Sequence, residues 1–347
     1  MLTGLRVTNW FTLADFTLRP GRFGVLDPAP GIDPTDPFDL VEILGCFLLE
    51  GREAERMFPQ RSVTPSSRPT HHQNFELELT GPAGVADYSL HIEQHLRRGH
   101  GCRVADEMLS HDQLPAVAYN HGELLIDLED SDPPDYPLLV SRWRSAIGDI
   151  LDRPDPPLHA FRELLGTLHT LHVDLEPPQR VPEPTLEPRP DLSNLEAWIL
   201  GLQARSPATV EAIAHDLAAQ LVPLDDPDLE PLRPLCADPL RASLADILAP
   251  RARAVLALHT VHHALLRPDT TVCLRLPDVL TPAELEPWIA RSLERTLATP
   301  GCQLLLCTGQ RAVIDSVAAF HRLPLTNRIK QPAPPRGEKA TSERGRG

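Results

Sequence analysis

Two five-residue apolar runs, VCLRL at 272–276 and QLLLC at 303–307, enclose a helical stretch near 283–298. Runs this short and this apolar suit strands buried on both faces, and a helix between two of them makes a βαβ unit. The chain is therefore expected to build a parallel sheet with helices covering it. An apolar helix at about 252–266 leads into the first run.

Upstream the apolar period changes to two. Phe75, Leu77 and Leu79 alternate with Asn74, Glu76 and Glu78, and Tyr88, Leu90 and Ile92 alternate again after the turn TGPAG. AVAY and ELLIDL are joined by Asn120-His121-Gly122, a hairpin-like turn. The block from 74 to 128 thus predicts a mostly antiparallel sheet. Residues 2–18 predict strand, turn and strand, with LRV, a turn-like TNWFTL and then DFTL; Arg22–Leu26 adds a short strand. Residues 27–37 hold four prolines and are excluded from regular structure. A helix fits 38–49, with Leu40, Val41, Leu44 and Leu48 on one face.

Residues 141–172 read as helical, broken at Pro154, Pro156 and Pro157, and 176–190 is a linker or a wrapped loop with six prolines. Ser193 and Glu196 have the spacing of a capping box, ahead of a stripe of Leu195, Trp198, Ile199 and Leu202. A further helix over 208–222 places Val210, Ile213, Leu217 and Leu221 together.

Composition sets further bounds. Proline, at 38 of 347 residues, is about twice its usual share of roughly 5%, so long uninterrupted helices should be few. The net charge of −15 argues against a surface built to hold nucleic-acid phosphates. The stretch from Arg328 onward carries six basic and two acidic residues, so 328–347 is expected to be a disordered basic tail. Six cysteines without a CxxC pair are read as buried free thiols. With no signal-peptide layout and no apolar run near eighteen residues, a reduced, cytoplasmic protein with no membrane association is expected. The only lysines are Lys330 and Lys339, against 31 arginines. A body without lysine excludes a P-loop phosphate clamp and Schiff-base chemistry.

The order of parts resembles the RecF/SMC/OLD-like ABC ATPases, also called AAA-family ATPases. LTGLRVTNWFTLADFTL followed by FGVLDPAPGID is similar to that family's opening, in which LRIxNFKSF leads to VLIGPNGxGKS. RSAIGDIL at 144–151 and RPDLSNLEAWILGLQARSP at 189–207 are similar to its helical lobe. ALHTVHHALLRPDTTVCLRLPDVLTPAEL at 257–285 and GCQLLLCTGQRAVID at 301–315 resemble the core from signature helix to switch strand. The resemblance covers about 1–320. It implies an α/β, ABC-type P-loop-like nucleotide-binding fold with a mixed sheet core, an antiparallel sheet lobe and a helical lobe. By that resemblance 1–140 and 251–320 are the two parts of the ATPase-like lobe, and 141–250 is the helical lobe.

The chemistry of that family is missing position by position. A P-loop needs glycines, so that backbone N–H groups curl round the phosphates, a lysine to reach the β/γ-phosphates, and Ser/Thr for Mg²⁺. Here the loop is DPAPGIDPTDPF: Gly31 is its one glycine, Pro28, Pro30 and Pro34 remove amide donors, and Asp27, Asp33 and Asp36 bring negative charge. Thr35 stands near the metal hydroxyl's place without a preceding lysine. The Walker B acidic pair, which supports Mg²⁺ and polarises the attacking water, matches Arg275 and Leu276, and Asp278 matches a later, non-catalytic acid. Gly309 stands where the switch histidine belongs, and the signature Ser-x-Gly is Ala249-Pro250-Arg251.

His259, His262 and His263 have a spacing that can bring two imidazoles together. With no acidic or cysteine ligand within a turn or two, they are read as structural or surface histidines, and no metal site is expected. His91 and His95, with Glu93 between them, are read as a solvated strand face. No G-x-S-x-G elbow is present. The expectation is a degenerate ATPase domain without catalytic residues or cofactor, acting as a structural or regulatory subunit. Its partner would be a protein, either an intact ATPase paralogue or a second copy of itself. The alternative is an AAA/ABC-family ATPase in DNA repair or defence that still uses ATP and Mg²⁺ through a rebuilt site. Nucleic-acid binding is a further alternative, suggested by family analogy only.

Overall fold

Alternation of apolar and polar side chains builds the first layer. The computed structural model describes residues 1–26, 33, 35–64, 71–94, 101–126, 138–173, 183–221, 227–240 and 249–315. Strands β1 (Leu2–Trp10) and β2 (Leu13–Leu18) form a hairpin, and β3 (Phe23–Leu26) follows. The first strand runs further than the expected turn at TNWFTL. Asn9 enters the left-handed region at φ 67° and Trp10 still pairs with Leu13, so the reversal sits at Phe11-Thr12. Helix α1 (Asp36–Leu49) starts two residues before the expected 38, because Pro37 is tolerated in a first turn that needs no N–H. A short α2 (Ala54–Met57) precedes the sheet block.

Five further strands, β4 (His72–Gly81), β5 (Gly84–Gln94), β6 (Cys102–His111), β7 (Leu114–Asn120) and β8 (Glu123–Ile126), run antiparallel, and β9 (Leu138–Leu139) closes the edge. The order is β2-β1-β4-β5-β6-β7-β8-β9. The expected 120–122 hairpin is present: His121 (φ 45°) and Gly122 (φ 109°) both have positive φ, as a twist-matched two-residue turn requires.

Residues 141–172 depart from the helical expectation at their end. Helices α3 (Ala146–Ile150) and α4 (Pro156–Gly166) are followed by strand β10 (Leu168–His172). That segment lies beside β11 (Thr271–Arg275) in parallel register, and pairing overrides the helical pattern. Before β11 come α5 (Leu195–Arg205), α6 (Pro207–Leu221), α7 (Arg233–Ala237) and α8 (Pro250–Ala264). After it, α9 (Pro282–Ala298) leads to β12 (Gln303–Cys307). The second sheet is β10-β11-β12-β3, parallel throughout. The expected mixed core thus resolves into two sheets, one antiparallel and one parallel, in a mixed α/β fold.

Two cores meet at the parallel sheet because its alternate side chains face opposite ways. Cys273, Leu305 and Cys307 join the core shared with α1, α3, α4 and the antiparallel sheet. Val272, Leu274, Leu304 and Leu306 join the core shared with α5, α6, α8 and α9. The two sheets are stapled by the buried Gln303 amide. Its Oε1 accepts from Leu2 N at 2.8 Å, and its Nε2 donates to Leu2 O and Gly21 O, both at 2.8 Å.

The capping box expected from Ser193 and Glu196 does not form. Asn194 is the N-cap residue, and the Glu196 carboxylate instead pairs with the fully buried Arg253 of α8. Of the 176–190 segment, the described part is a wrapped loop: Thr185 N donates to Ala197 O at 2.9 Å, and a Cβ at Gly201 would lie 1.9 Å from Thr185 O. Its remainder, the basic tail 328–347 and His95 lie outside the described residues. All six cysteines are free thiols, four of them buried. Among the described residues no helix is long and apolar enough to cross a membrane.

A buried carboxylate locks the antiparallel sheet to α3. Glu107, 1% exposed, accepts from Tyr88 Oη (2.8 Å), Ser145 Oγ (2.5 Å), Ala146 N (2.7 Å) and Ile147 N (3.2 Å). Burial pushes its pKa up despite those bonds, which favour the ionised form. Glu107→Ala would strand four donors, so a loss of about 3 kcal/mol is expected in denaturant unfolding. Glu107→Gln keeps an acceptor oxygen and should lose clearly less.

Candidate functional site

Parallel pairing places the ends of four strands level with one another. Cys307 pairs with Leu26, Arg275 with Cys307, and His172 with Arg275. Ligands of open α/β sheets bind just beyond such carboxyl ends. Arg275 ends β11, and the segments leaving the strands carry Asp33 and Thr35, then Leu276 and Asp278, then Gly309. The structure therefore gathers these positions along one edge, while Gly31 lies outside the described residues. Ala249 is the N-cap residue of α8, and Arg251 Nε and Nη2 reach Glu284 Oε1 at 2.9 and 2.6 Å. Glu284 closes a capping box with Thr281 at the start of α9, the helix entered from the Asp278 loop. That ion pair joins α8 to the same end of the molecule.

The N-terminus of α1 is where an anion would be held, by free N–H groups and the helix dipole. Here Asp33 takes the N–H at the helix start, while Asp36 turns to Thr12 of the first hairpin. Asp33 Oδ1 accepts from Thr35 N at 2.9 Å and from Thr35 Oγ1 at 2.8 Å. Thr12 N donates to Asp36 Oδ2 at 2.9 Å, the Thr12 hydroxyl donates to the same oxygen, and that hydroxyl accepts from Asp33 N at 2.9 Å. Burial pushes Asp36 above the usual carboxylate range, against the bonds from Thr12. Asp39, one turn on, is pushed up by burial and then by Asp36, while Arg275 and His172 pull it down.

The remaining edge positions divide between solvent and core. Arg275 is exposed, and Leu276 is buried with its N–H given to Cys307 O at 2.9 Å. A buried leucine can neither hold a metal nor polarise water. A Cβ added at Gly309 would come no nearer than 4.0 Å to Asp278 Oδ1, so space does not demand glycine there. Gln310 Nε2 closes the edge by donating to Leu280 O at 2.9 Å and Asp278 O at 3.3 Å. Among the described residues this edge sets Asp33, Asp36, Asp39 and Asp278 against Arg275 and His172. Such a balance disfavours a polyphosphate.

Three other places gather polar side chains; the histidines of two of them stand out in the sequence, where neither group is read as a site. The open face of the antiparallel sheet holds a concavity of about 600 Å³, lined by Arg6, Glu76, Glu78, Asp87, Ser89 and Met108 among others. Its charges are largely paired, Arg6 with Glu76 at 3.7 Å and Arg19 with Glu78 at 3.3 Å. It lies away from the strand ends and carries no nucleophile with an adjacent base. On the helical side, His259 and His262 of α8 are buried. His259 Nε2 lies 2.6 Å from Gln220 Oε1, and burial pushes both imidazoles down to about 3. His263 Nε2 lies 2.8 Å from Asp216 Oδ2 of α6. That acid is distant in sequence, so a search for ligands within a turn or two of the histidines misses it. His91, on the other sheet, bonds Asp106 Oδ2 (3.0 Å) and His72 Nδ1 (2.9 Å) on a half-open strand face.

No protein-family model matches the sequence, and no curated protein matches it. Among solved structures the chain is similar to the SMC head domain from Thermotoga maritima. The likeness spans 91% of each chain, at 9% sequence identity and a TM-score of 0.42.

Because the folded-state pKa of Asp36 is raised, its ionisation works against the fold. The penalty is absent below the unfolded carboxyl value near 3.8 and grows as pH rises through the folded value. Asp36→Asn keeps an acceptor for Thr12 and removes the charge. The variant should melt higher than wild type at pH 7, and the difference should vanish below about pH 4, as followed by thermal denaturation across pH.

Proposed function

We propose that this chain is a degenerate ABC-type ATPase domain, serving as a structural or regulatory subunit of a complex rather than as an ATP hydrolase. The proposal joins the sequence resemblance to one observation, the self-occupied start of α1. There Asp33 takes the Thr35 N–H and hydroxyl, and Asp36 takes Thr12, at the place where a nucleotide phosphate would need free donors. Buried Leu276 and exposed Arg275, at the Walker B positions, support the same conclusion. No nucleotide or metal ion takes part in catalysis in this proposal. The partner is a protein, an intact ATPase relative or a second copy, meeting the edge formed by the strand ends and the starts of α8 and α9.

Calorimetric titration with ATP and Mg²⁺ tests it. No saturable binding tighter than about 1 mM is expected, corresponding to less than roughly 4 kcal/mol of binding free energy. Micromolar affinity, or turnover lost on substitution of Asp33 or Thr35, would overturn it.

A further inference from the structure

We propose that Asp216, His262 and His263 bind a divalent transition-metal ion, zinc by ligand type, and that the ion clamps α6 to α8. One donor atom from each residue can be chosen so that all three lie within 4.8 Å of one another. A tetrahedral zinc with bonds of about 2.0–2.1 Å needs donors roughly 3.3 Å apart. Reaching that spacing requires side-chain rotation at Asp216 and His263, the partly exposed members of the set. The His263 Nε2 and Asp216 Oδ2 contact at 2.8 Å would open slightly as the ion replaces the shared proton.

Donor type and setting both favour such an ion. Two imidazoles and one carboxylate leave a fourth position for water, and this set suits zinc better than calcium or magnesium. The His262 and His263 rings stand 4.7 Å apart at 74°, so the two imidazoles are neighbours without being stacked face to face. His262 is buried, and its Nδ1 lies 2.9 Å from Ser292 Oγ of α9. A bond at one ring nitrogen orients the other, the usual outer support of a ligating histidine. Asp216 and His263 are only partly covered, which leaves a way in for the ion.

Two guanidinium groups of α9 oppose the ion: Arg295, whose charge acts on both histidines, and Arg291, whose Nη1 lies 3.7 Å from Asp216 Oδ2. The Arg291 side chain is about one-third exposed, so its guanidinium can move into water when a metal takes the carboxylate. Arg291 is thus a competitor for Asp216, and that competition gives the proposal a distinctive signature.

The test is Zn²⁺ titration of the full chain against a chromophoric chelator, with Co²⁺ absorption reporting geometry. One ion per chain is expected, bound at micromolar affinity or tighter, with a Co²⁺ spectrum of tetrahedral type. Asp216→Asn and His263→Gln, both at partly exposed positions, should each weaken binding at least tenfold while circular dichroism shows an intact fold. Arg291→Gln should tighten it. Binding unchanged in both ligand variants would place the ion on other histidines and overturn the proposal, as would loss of binding in Arg291→Gln. If the ligand variants unfold, protection of His263 from diethyl pyrocarbonate by Zn²⁺ in the wild-type chain decides, and unprotected His263 overturns it.

Discussion

A parallel sheet exposes two apolar faces, and most of this structure follows from the need to cover both. Neighbouring residues of β11 and β12 point into different cores, so each face recruits its own layer. One layer is α1, α3 and α4 with the antiparallel sheet beyond them. The other is α5, α6, α8 and α9. Deleting a methylene group from Leu305 or Leu306 would loosen different halves of the molecule, although the two residues are adjacent.

The same geometry decides where chemistry can reside. Four strands end level, yet carboxylates outnumber cations among the charged side chains found there, and two of the carboxylates are held by neighbouring threonines. At the start of α1, Asp33 takes the Thr35 N–H and Thr12 ties down Asp36. The strand ends lie level, and the donors of Thr35 and Thr12 beside them are engaged in local order. Under the proposed function, it is this edge that would meet a complementary protein surface.

Strong periodic segments were readable from the sequence, and the exceptions have physical causes. β4, β5, β11 and β12 show the alternation or the continuous apolar run that pairing requires. β6 was not visible because Glu107, a buried acid, sits where an apolar residue would be expected, and the register slips opposite His91 and Ile92. β10 contains three polar residues in LHTLH and follows a helix, so only its parallel partner makes it a strand. The Ser193/Glu196 spacing misled because Glu196 is consumed by a buried arginine 57 residues away. At the candidate edge the sequence showed which groups are present. It could not show that Thr12, from another hairpin, would be the residue binding Asp36, nor that α6 would deliver Asp216 to the α8 histidines.

β3 belongs to a sheet whose other strands come much later in the chain. Arg22, just before it, bonds Cys302 O across 280 residues. During synthesis the apolar FGVL strand must therefore wait, unpaired, until Gln303–Cys307 has emerged. Such distant closure slows folding and leaves a sticky edge open to misassembly. A helper that shields nascent strands, or a partner subunit made at the same time, would matter more for this fold than for one closed by local contacts.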